Sequence, residues 1–110
     1  MAFNEALGER LKYLVQDDPD VTHKKMFGGL VMLLKSKMFC GVIGDQIMAR
    51  IGKANWEVAL ARPYVSEMDF TGRSMKGYVY VAPEGLLDDE MLGEWVEMAR
   101  TFVRTEVLGE

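Results

Sequence analysis

Two side chains suited to nucleophilic chemistry, a cysteine and a histidine, each occur once in this chain. Cys40 lies within the apolar run 38–43, and His23 precedes two lysines. A thiol and an imidazole act as a catalytic pair only within hydrogen-bond reach, and nothing in their spacing brings these two together. A single histidine also excludes metal sites with several histidines, and a Ser-His-Asp triad would have to use His23. We expect Cys40 to be a buried apolar side chain and His23 an exposed loop or strand-edge residue.

The other motifs that could carry chemistry are incomplete. Asp45, Glu67 and Asp69 have neither metal-ligand spacing nor the arrangement of a general acid and base. The pair Gly28-Gly29 lacks the spacing of a phosphate-binding loop and the helix that should follow one. The chain is therefore predicted to be non-enzymatic, with no cofactor and no metal. An enzymatic or small-molecule-binding domain with a pocket between helix and sheet stays open as an alternative.

Charge is distributed unevenly along the 110 residues, which have a net charge of −4. Residues 1–22 carry two basic and five acidic side chains, residues 23–76 nine and four, and residues 77–110 two and eight. Either the acidic faces of the terminal helices balance the positive charge of residues 23–76 within the molecule, or residues 23–76 form a basic docking face. The candidate docking residues are His23, Lys24, Lys25, Arg73 and Lys76.

A protein partner is predicted for this basic face, with direct nucleic-acid binding as the alternative. Cations interleaved with aromatic side chains can follow a nucleic-acid strand. The chain, however, has no RNP pattern, zinc spacing or helix-turn-helix signal, which argues against direct binding.

Targeting signals and membrane segments are missing from the sequence. No stretch approaches the roughly twenty apolar residues of a membrane helix, and the first ten residues lack the basic start and apolar centre of a secretory signal. A single cysteine cannot form an intramolecular disulfide. We expect a cytoplasmic protein that does not enter a membrane.

Hydrophobic periodicity predicts the elements that position these residues. A first helix over 4–16 is capped by Asn4, and a long last helix is capped by Asp88, with Leu87 as a hydrophobic staple. The predicted elements between them are strands over 30–34, 38–43 and 46–51, a helix over 55–61, strands over 67–70 and 77–82, and a polar loop over 71–76.

Connections this short allow only antiparallel neighbours. The expected fold is one α+β domain over residues 1–110, with an antiparallel five-stranded sheet and the order α-β-β-β-α-β-β-α. Six of the nine methionines lie in its β region or loops, either as core filling or as an adaptable apolar groove.

Several short motifs, taken in order, resemble a known family. They are Met26, Phe27, Gly28 and Gly29, then Met38, Phe39 and Gly41, then Met75, Lys76, Gly77 and Tyr78, and finally Trp95. Together they are similar to the N-terminal domain of the TfoX/Sxy family over roughly residues 9–106. The resemblance implies an α+β fold of the secretion-chaperone-like type and brings no catalytic residues with it.

The resemblance also implies a function. Full-length members of that family are bacterial regulators of natural competence genes that work with other transcription factors and carry a second, helical C-terminal domain. It therefore implies transcription regulation through a protein-protein interaction, with a transcription factor as one class of partner. Because 110 residues leave no room for the second domain, we expect a stand-alone domain. The open edges and uncovered face of such a sheet also allow a homodimer.

Overall fold

A computed structural model describes the backbone of residues 3–26, 28–70 and 73–110, and their side chains except at 70, 73 and 74. The helices are α1 (Glu5–Val15), α2 (Lys53–Leu60) and α3 (Asp89–Phe102). The strands are β1 (Val21–Met26), β2 (Gly29–Leu34), β3 (Lys37–Ile43), β4 (Gln46–Arg50), β5 (Val65–Phe70) and β6 (Arg73–Val81). A 3-10 turn, Pro83–Gly85, precedes α3, and a π-helical turn, Val103–Val107, extends it.

The strands form one antiparallel sheet in the order β1-β2-β3-β4-β6-β5. The α+β class and the antiparallel pairing are confirmed. The predicted number of five strands is wrong, because the described residues contain six, and the order is α-β-β-β-β-α-β-β-α.

The strand missing from the prediction is β1, at one edge of the sheet. Four of its six residues are exposed, so an alternation of apolar and polar side chains never develops. Its place is set by pairing with β2, from Val21 opposite Leu34 to Met26 opposite Gly29. Hydrophobic pattern detects strands with a buried face, whereas this strand depends on its backbone pairing.

The predicted polar loop over 71–76 is also wrong in part. Strand β6 begins at Arg73, whose backbone pairs with Phe70, and Ser74 pairs with Asp69. Residues 73–76 therefore belong to a long hairpin with β5, while 71 and 72 lie outside the described residues. This part of β6 pairs with β5, which is the other edge strand of the sheet. Its side chains are mostly polar, so the hydrophobic pattern did not mark it as a strand.

Both predicted helix caps are confirmed. The Leu7 amide donates to Asn4 Oδ1 at 3.1 Å, and the Met91 amide donates to Asp88 Oδ1 at 2.8 Å. The staple is not formed, since Leu87 is 77% exposed. Helix α2 begins two residues before its predicted start and ends at Leu60.

One hydrophobic core lies between the helices and one face of the sheet. The helices contribute Leu7, Leu11, Val15, Ala59, Leu92, Trp95, Val96 and Ala99, and the sheet contributes Leu30, Met32, Leu34, Phe39, Val42, Ile47 and Val79. Core filling is confirmed for Met32, which belongs to this core; Met48 and Met68 are also buried but lie outside this cluster. The end of β4 and the middle of β6 lie beside α2 and α3, where the site described next is found.

Candidate interaction groove

The residues of the predicted docking face fall into two separate places. His23, Lys24 and Lys25 are exposed on the edge strand β1, which confirms the strand-edge position of His23. Lys76 is exposed on β6. Four strand-to-strand steps lie between β1 and β6, or about 19 Å at the usual spacing. The structure therefore does not bring these cations together; Arg73 lies in β6 with Lys76, and its side chain is outside the described part.

The glycines of the family motifs have structural explanations. Gly28 has a positive φ, at 73°. A Cβ on Gly29 would overlap the carbonyl oxygen of Val42, and a Cβ on Gly41 would lie 2.6 Å from the carbonyl oxygen of Leu30. These positions need glycine because neighbouring strands pass too close for a side chain. They shape the sheet and leave no space for a ligand.

The other motif residues lie mainly in the sheet and the core. Phe39 and Trp95 are buried, at 0% and 2% exposed, while Met26, Met38 and Met75 are half-buried. Phe27 lies outside the described residues. The Met75-Tyr78 segment is different, because three of its four residues, Lys76, Gly77 and Tyr78, line an open groove.

This groove has a volume of about 1070 Å³ and lies between the start of α2, the end of β4, the middle of β6 and one side of α3. Met98 and Phe102, both half-buried, supply apolar surface. The polar side chains around it are Arg50, Lys53, Asn55, Arg62, Lys76, Tyr78, Glu94, Glu97, Thr101, Thr105 and Glu106. The predicted pocket between helix and sheet thus has a counterpart, built largely from residues that sequence patterns did not identify.

A tight backbone crossing forms the base of the groove. The amides of Ile51 and Gly52 both donate to the carbonyl oxygen of Gly77, at 2.8 and 3.1 Å. Gly52 has a φ of 88° and Gly77 a φ of 92°, values that side-chain-bearing residues rarely adopt. A Cβ on Gly52 would overlap the ring of Phe102. The crossing therefore depends on two glycines that are 25 positions apart in the chain.

Arg50 is held at this crossing by two aromatic rings. Its guanidinium carbon lies 5.6 Å from the centre of the Tyr78 ring and 5.7 Å from that of Phe102. Cation–π attraction of this kind positions the charge without neutralising it. Helix α2 begins beside it at Gly52, which has no side chain to cap the first turn.

The carboxylates on the α3 side of the groove are mostly engaged with other arginines. Glu94 pairs with Arg62 at 3.3 Å, and the Arg62 guanidinium also lies 4.4 Å from the centre of the Trp95 ring. Glu97 pairs with Arg100. Within the described part of the chain, Arg50, Lys53 and Lys76 form no ion pair with a carboxylate.

A second charged cluster lies outside the groove and joins the α1–β1 loop to the end of the chain. Asp18 Oδ2 accepts from Arg100 at 3.0 Å and from Arg104 at 2.8 Å. Partial burial raises the pKa of Asp18, but the Asp20 amide and the two guanidinium groups lower it more, so it lies below its ordinary value of 3.8. The Lys35 ammonium, 2.6 Å away, lowers the pKa of Glu110. The Lys35–Glu110 pair joins the basic middle to the acidic end of the chain, as the internal charge balance predicts, whereas the Asp18 pairs join the two acidic segments.

Cys40 and His23, the two candidates for nucleophilic chemistry, lie in different environments. Cys40 is fully buried, and burial raises the pKa of its thiol well above the ordinary value. His23 borders a smaller hollow of about 320 Å³ between α1 and β1. Among the described residues, no group of three His, Cys, Asp or Glu side chains is arranged to hold a metal ion. None of the helices in that part is long and apolar enough to cross a bilayer.

Comparison with known protein families identifies a match that covers most of the chain. The family model of the TfoX N-terminal domain matches residues 13–103. The chain belongs to this family. The TfoX N-terminal domain match includes all six strands, α2, α3 and the Gly52–Gly77 crossing. No curated protein sequence matches the chain.

Proposed function

We propose that this TfoX N-terminal domain is a non-enzymatic, cytoplasmic interaction module that docks a segment of a protein partner in the groove between α2, α3, the end of β4 and the middle of β6. The observation that carries the proposal is the groove itself, an open space of about 1070 Å³ that combines apolar surface on α3 with charged side chains. Binding sites combine apolar surface with a few placed polar groups in this way.

The groove is the better docking site because its residues converge on one place. The cations first predicted from the sequence are divided between β1 and β6, and among those whose side chains the structure describes only Lys76 borders the groove. The same division weakens the nucleic-acid alternative, which needs a continuous basic path. The regulatory role, with a transcription factor as the partner class, comes from the family resemblance.

A steric block on α3 tests the proposed function. Thr101→Trp places a large ring in the groove from an exposed helix position, and Thr22→Trp makes the same change on the exposed face of β1. Both variants and the parent domain are immobilised on a support and incubated with cell lysate. The retained proteins are then quantified by mass spectrometry. We expect proteins that are retained by the parent and by Thr22→Trp to be lost with Thr101→Trp.

The experiment also has a defined negative result. Circular dichroism and thermal unfolding first establish that both variants fold like the parent. Identical retention by all three proteins would then show that the groove is not the docking site. A retained protein is purified and titrated directly, so that the comparison does not depend on the lysate.

A further inference from the structure

Three cations that are distant in sequence meet at the base of the groove. Arg50 immediately precedes Ile51, Lys53 immediately follows Gly52, and Lys76 immediately precedes Gly77. The hydrogen bonds from Ile51 and Gly52 to Gly77 therefore bring all three to one backbone crossing. The crossing is close-packed: a Cβ built on Gly77 would be 3.5 Å from the Lys53 amide nitrogen.

These cations are available to a ligand. Lys53 and Lys76 are exposed, and the Arg50 guanidinium is fixed over two rings. In the described part of the chain, none of the three has a carboxylate partner. By contrast, Arg62 forms an ion pair with Glu94, and Arg100 and Arg104 both form ion pairs with Asp18. The unneutralised positive charge is therefore concentrated at one end of the groove.

Apolar surface lies directly beside this charge. The Phe102 ring contacts both the Arg50 guanidinium and the position above Gly52. Met98 lies one helical turn before Phe102 on the same side of α3, and both are half-buried. Half-buried aromatic and methionine side chains bury further area when an apolar group packs on them.

We propose that the groove binds an acidic segment of a protein, with its carboxylates at Arg50, Lys53 and Lys76 and an apolar side chain against Met98 and Phe102. This rests on the proposed docking function and specifies the partner's chemistry. A nucleic acid fits less well because Glu94, Glu97 and Glu106 line the same groove and would repel a continuous phosphate backbone. A short acidic segment can direct its carboxylates to the basic end alone.

Titration with synthetic peptides tests this proposal. The probe is a short peptide of glutamates interrupted by phenylalanine; the matched peptides replace each glutamate by glutamine or by lysine. Binding is measured by chemical-shift changes of the isotope-labelled domain. We expect the acidic peptide to bind, with shifts centred on Arg50, Gly52, Gly77 and Phe102, and the glutamine and lysine peptides to bind at least about tenfold more weakly.

A charge-reversal pair isolates the groove from general electrostatics. Lys53→Glu/Lys76→Glu and Lys24→Glu/Lys25→Glu change the net charge equally, the first pair at the groove and the second on β1. We expect the groove pair to weaken binding of the acidic peptide by about tenfold or more. The β1 pair should weaken this binding by less than about twofold. Raising the salt concentration should weaken binding to the parent domain.

Three results would overturn the proposal. The first is equal weakening by both charge-reversal pairs, and the second is equal binding of the acidic and glutamine peptides. The third is tighter binding of a single-stranded oligonucleotide of the same charge that is lost in the groove pair. If Thr101→Trp removes a protein partner while the acidic peptide fails to bind, docking stands and the acidic chemistry is wrong.

Discussion

Asp18 is the residue on which the main ion-pair cluster depends. Its side chain is 11% exposed and contacts two arginines from the far end of the chain, Arg100 and Arg104. Arg100 is itself only 16% exposed, so removing Asp18 leaves a largely desolvated cation with Glu97 as its remaining carboxylate partner. The cluster thereby holds the α1–β1 loop against the last helix.

Replacing this carboxylate should lower stability. For Asp18→Asn we expect the free energy of unfolding to fall by about 1–2 kcal/mol, because two charge-assisted hydrogen bonds are lost from a partly exposed site. Urea denaturation at neutral pH measures the difference. Asp17→Asn is the control, since Asp17 is exposed and forms no ion pair with any described residue. Equal losses in the two variants would contradict the role given to Asp18.

The same substitution should change the response to acid. Because the pKa values of Asp18 and Glu110 are lowered in the folded state, their contribution is present above the ordinary values of 3.8 and 4.5. It is lost as the pH falls through the folded-state values, since the unfolded chain then binds more protons. Denaturation across this acidic range should show a shallower decline in stability for Asp18→Asn than for the parent.

At the scale of elements, the Gly52–Gly77 crossing joins β4, β6 and α2. Gly52→Ala introduces a side chain at a φ of 88° and against the Phe102 ring. We expect a loss of more than about 1 kcal/mol in the free energy of unfolding, because both the backbone and the space are incompatible with alanine. Gly93→Ala should instead gain about 0.5–1 kcal/mol, since Gly93 lies in α3 with nothing near its absent Cβ.

A double-mutant cycle separates strain from overlap. Phe102→Ala removes the ring that a side chain at position 52 would meet, and leaves the backbone conformation of Gly52 unchanged. The free energy of unfolding lost in Gly52→Ala/Phe102→Ala should therefore be smaller than the sum of the losses in the two single variants. Strict additivity, measured by chemical denaturation, would mean that the ring does not oppose the new side chain.

Elements with a long apolar period or a defined cap were predictable from the sequence. The spacing of Leu92, Trp95 and Val96 predicts the buried side of α3, and Asn4 and Asp88 cap their helices as expected. Strand β1 was missed because its exposed side chains leave only backbone pairing to define it. Local pattern contains no information of that kind.

The groove could not be predicted for a different reason. Its basic end combines Arg50, Lys53 and Lys76, and its apolar surface comes from Phe102, half the chain away from Arg50. The pairing of β4 with β6, the hydrogen bonds of Ile51 and Gly52 to Gly77, and the packing of α3 against the core bring these segments together. The motif Met75-Lys76-Gly77-Tyr78 was the one sequence signal for the groove. In the sequence alone it indicated a family but no site, because the backbone crossing at Gly77 is visible only in the structure.

For the whole molecule, the two edges of the sheet limit how copies can associate. β1 presents His23, Lys24 and Lys25, and two such edges brought together would place like charges opposite one another. Lysine on an edge strand opposes pairing between sheets. The homodimer stays a prediction, and pairing through β1 is the arrangement that these residues oppose.

Removing the edge lysines should therefore promote association. We expect Lys24→Thr/Lys25→Thr to shift the sedimentation profile toward larger species as concentration rises, because threonine favours strands and carries no charge. Lys53→Thr/Lys76→Thr loses the same charge away from β1 and should sediment like the parent. If both pairs associate equally, reduced net repulsion rather than the edge explains the effect.

The buried thiol of Cys40 makes the chain its own reporter of core opening. It is the single cysteine, it has no exposed surface, and it lies on β3 in the middle of the sheet order. A water-soluble thiol reagent can reach it only when the strands around it separate. The labelling rate under native conditions therefore measures how often this core opens, with no probe introduced and no denaturant present.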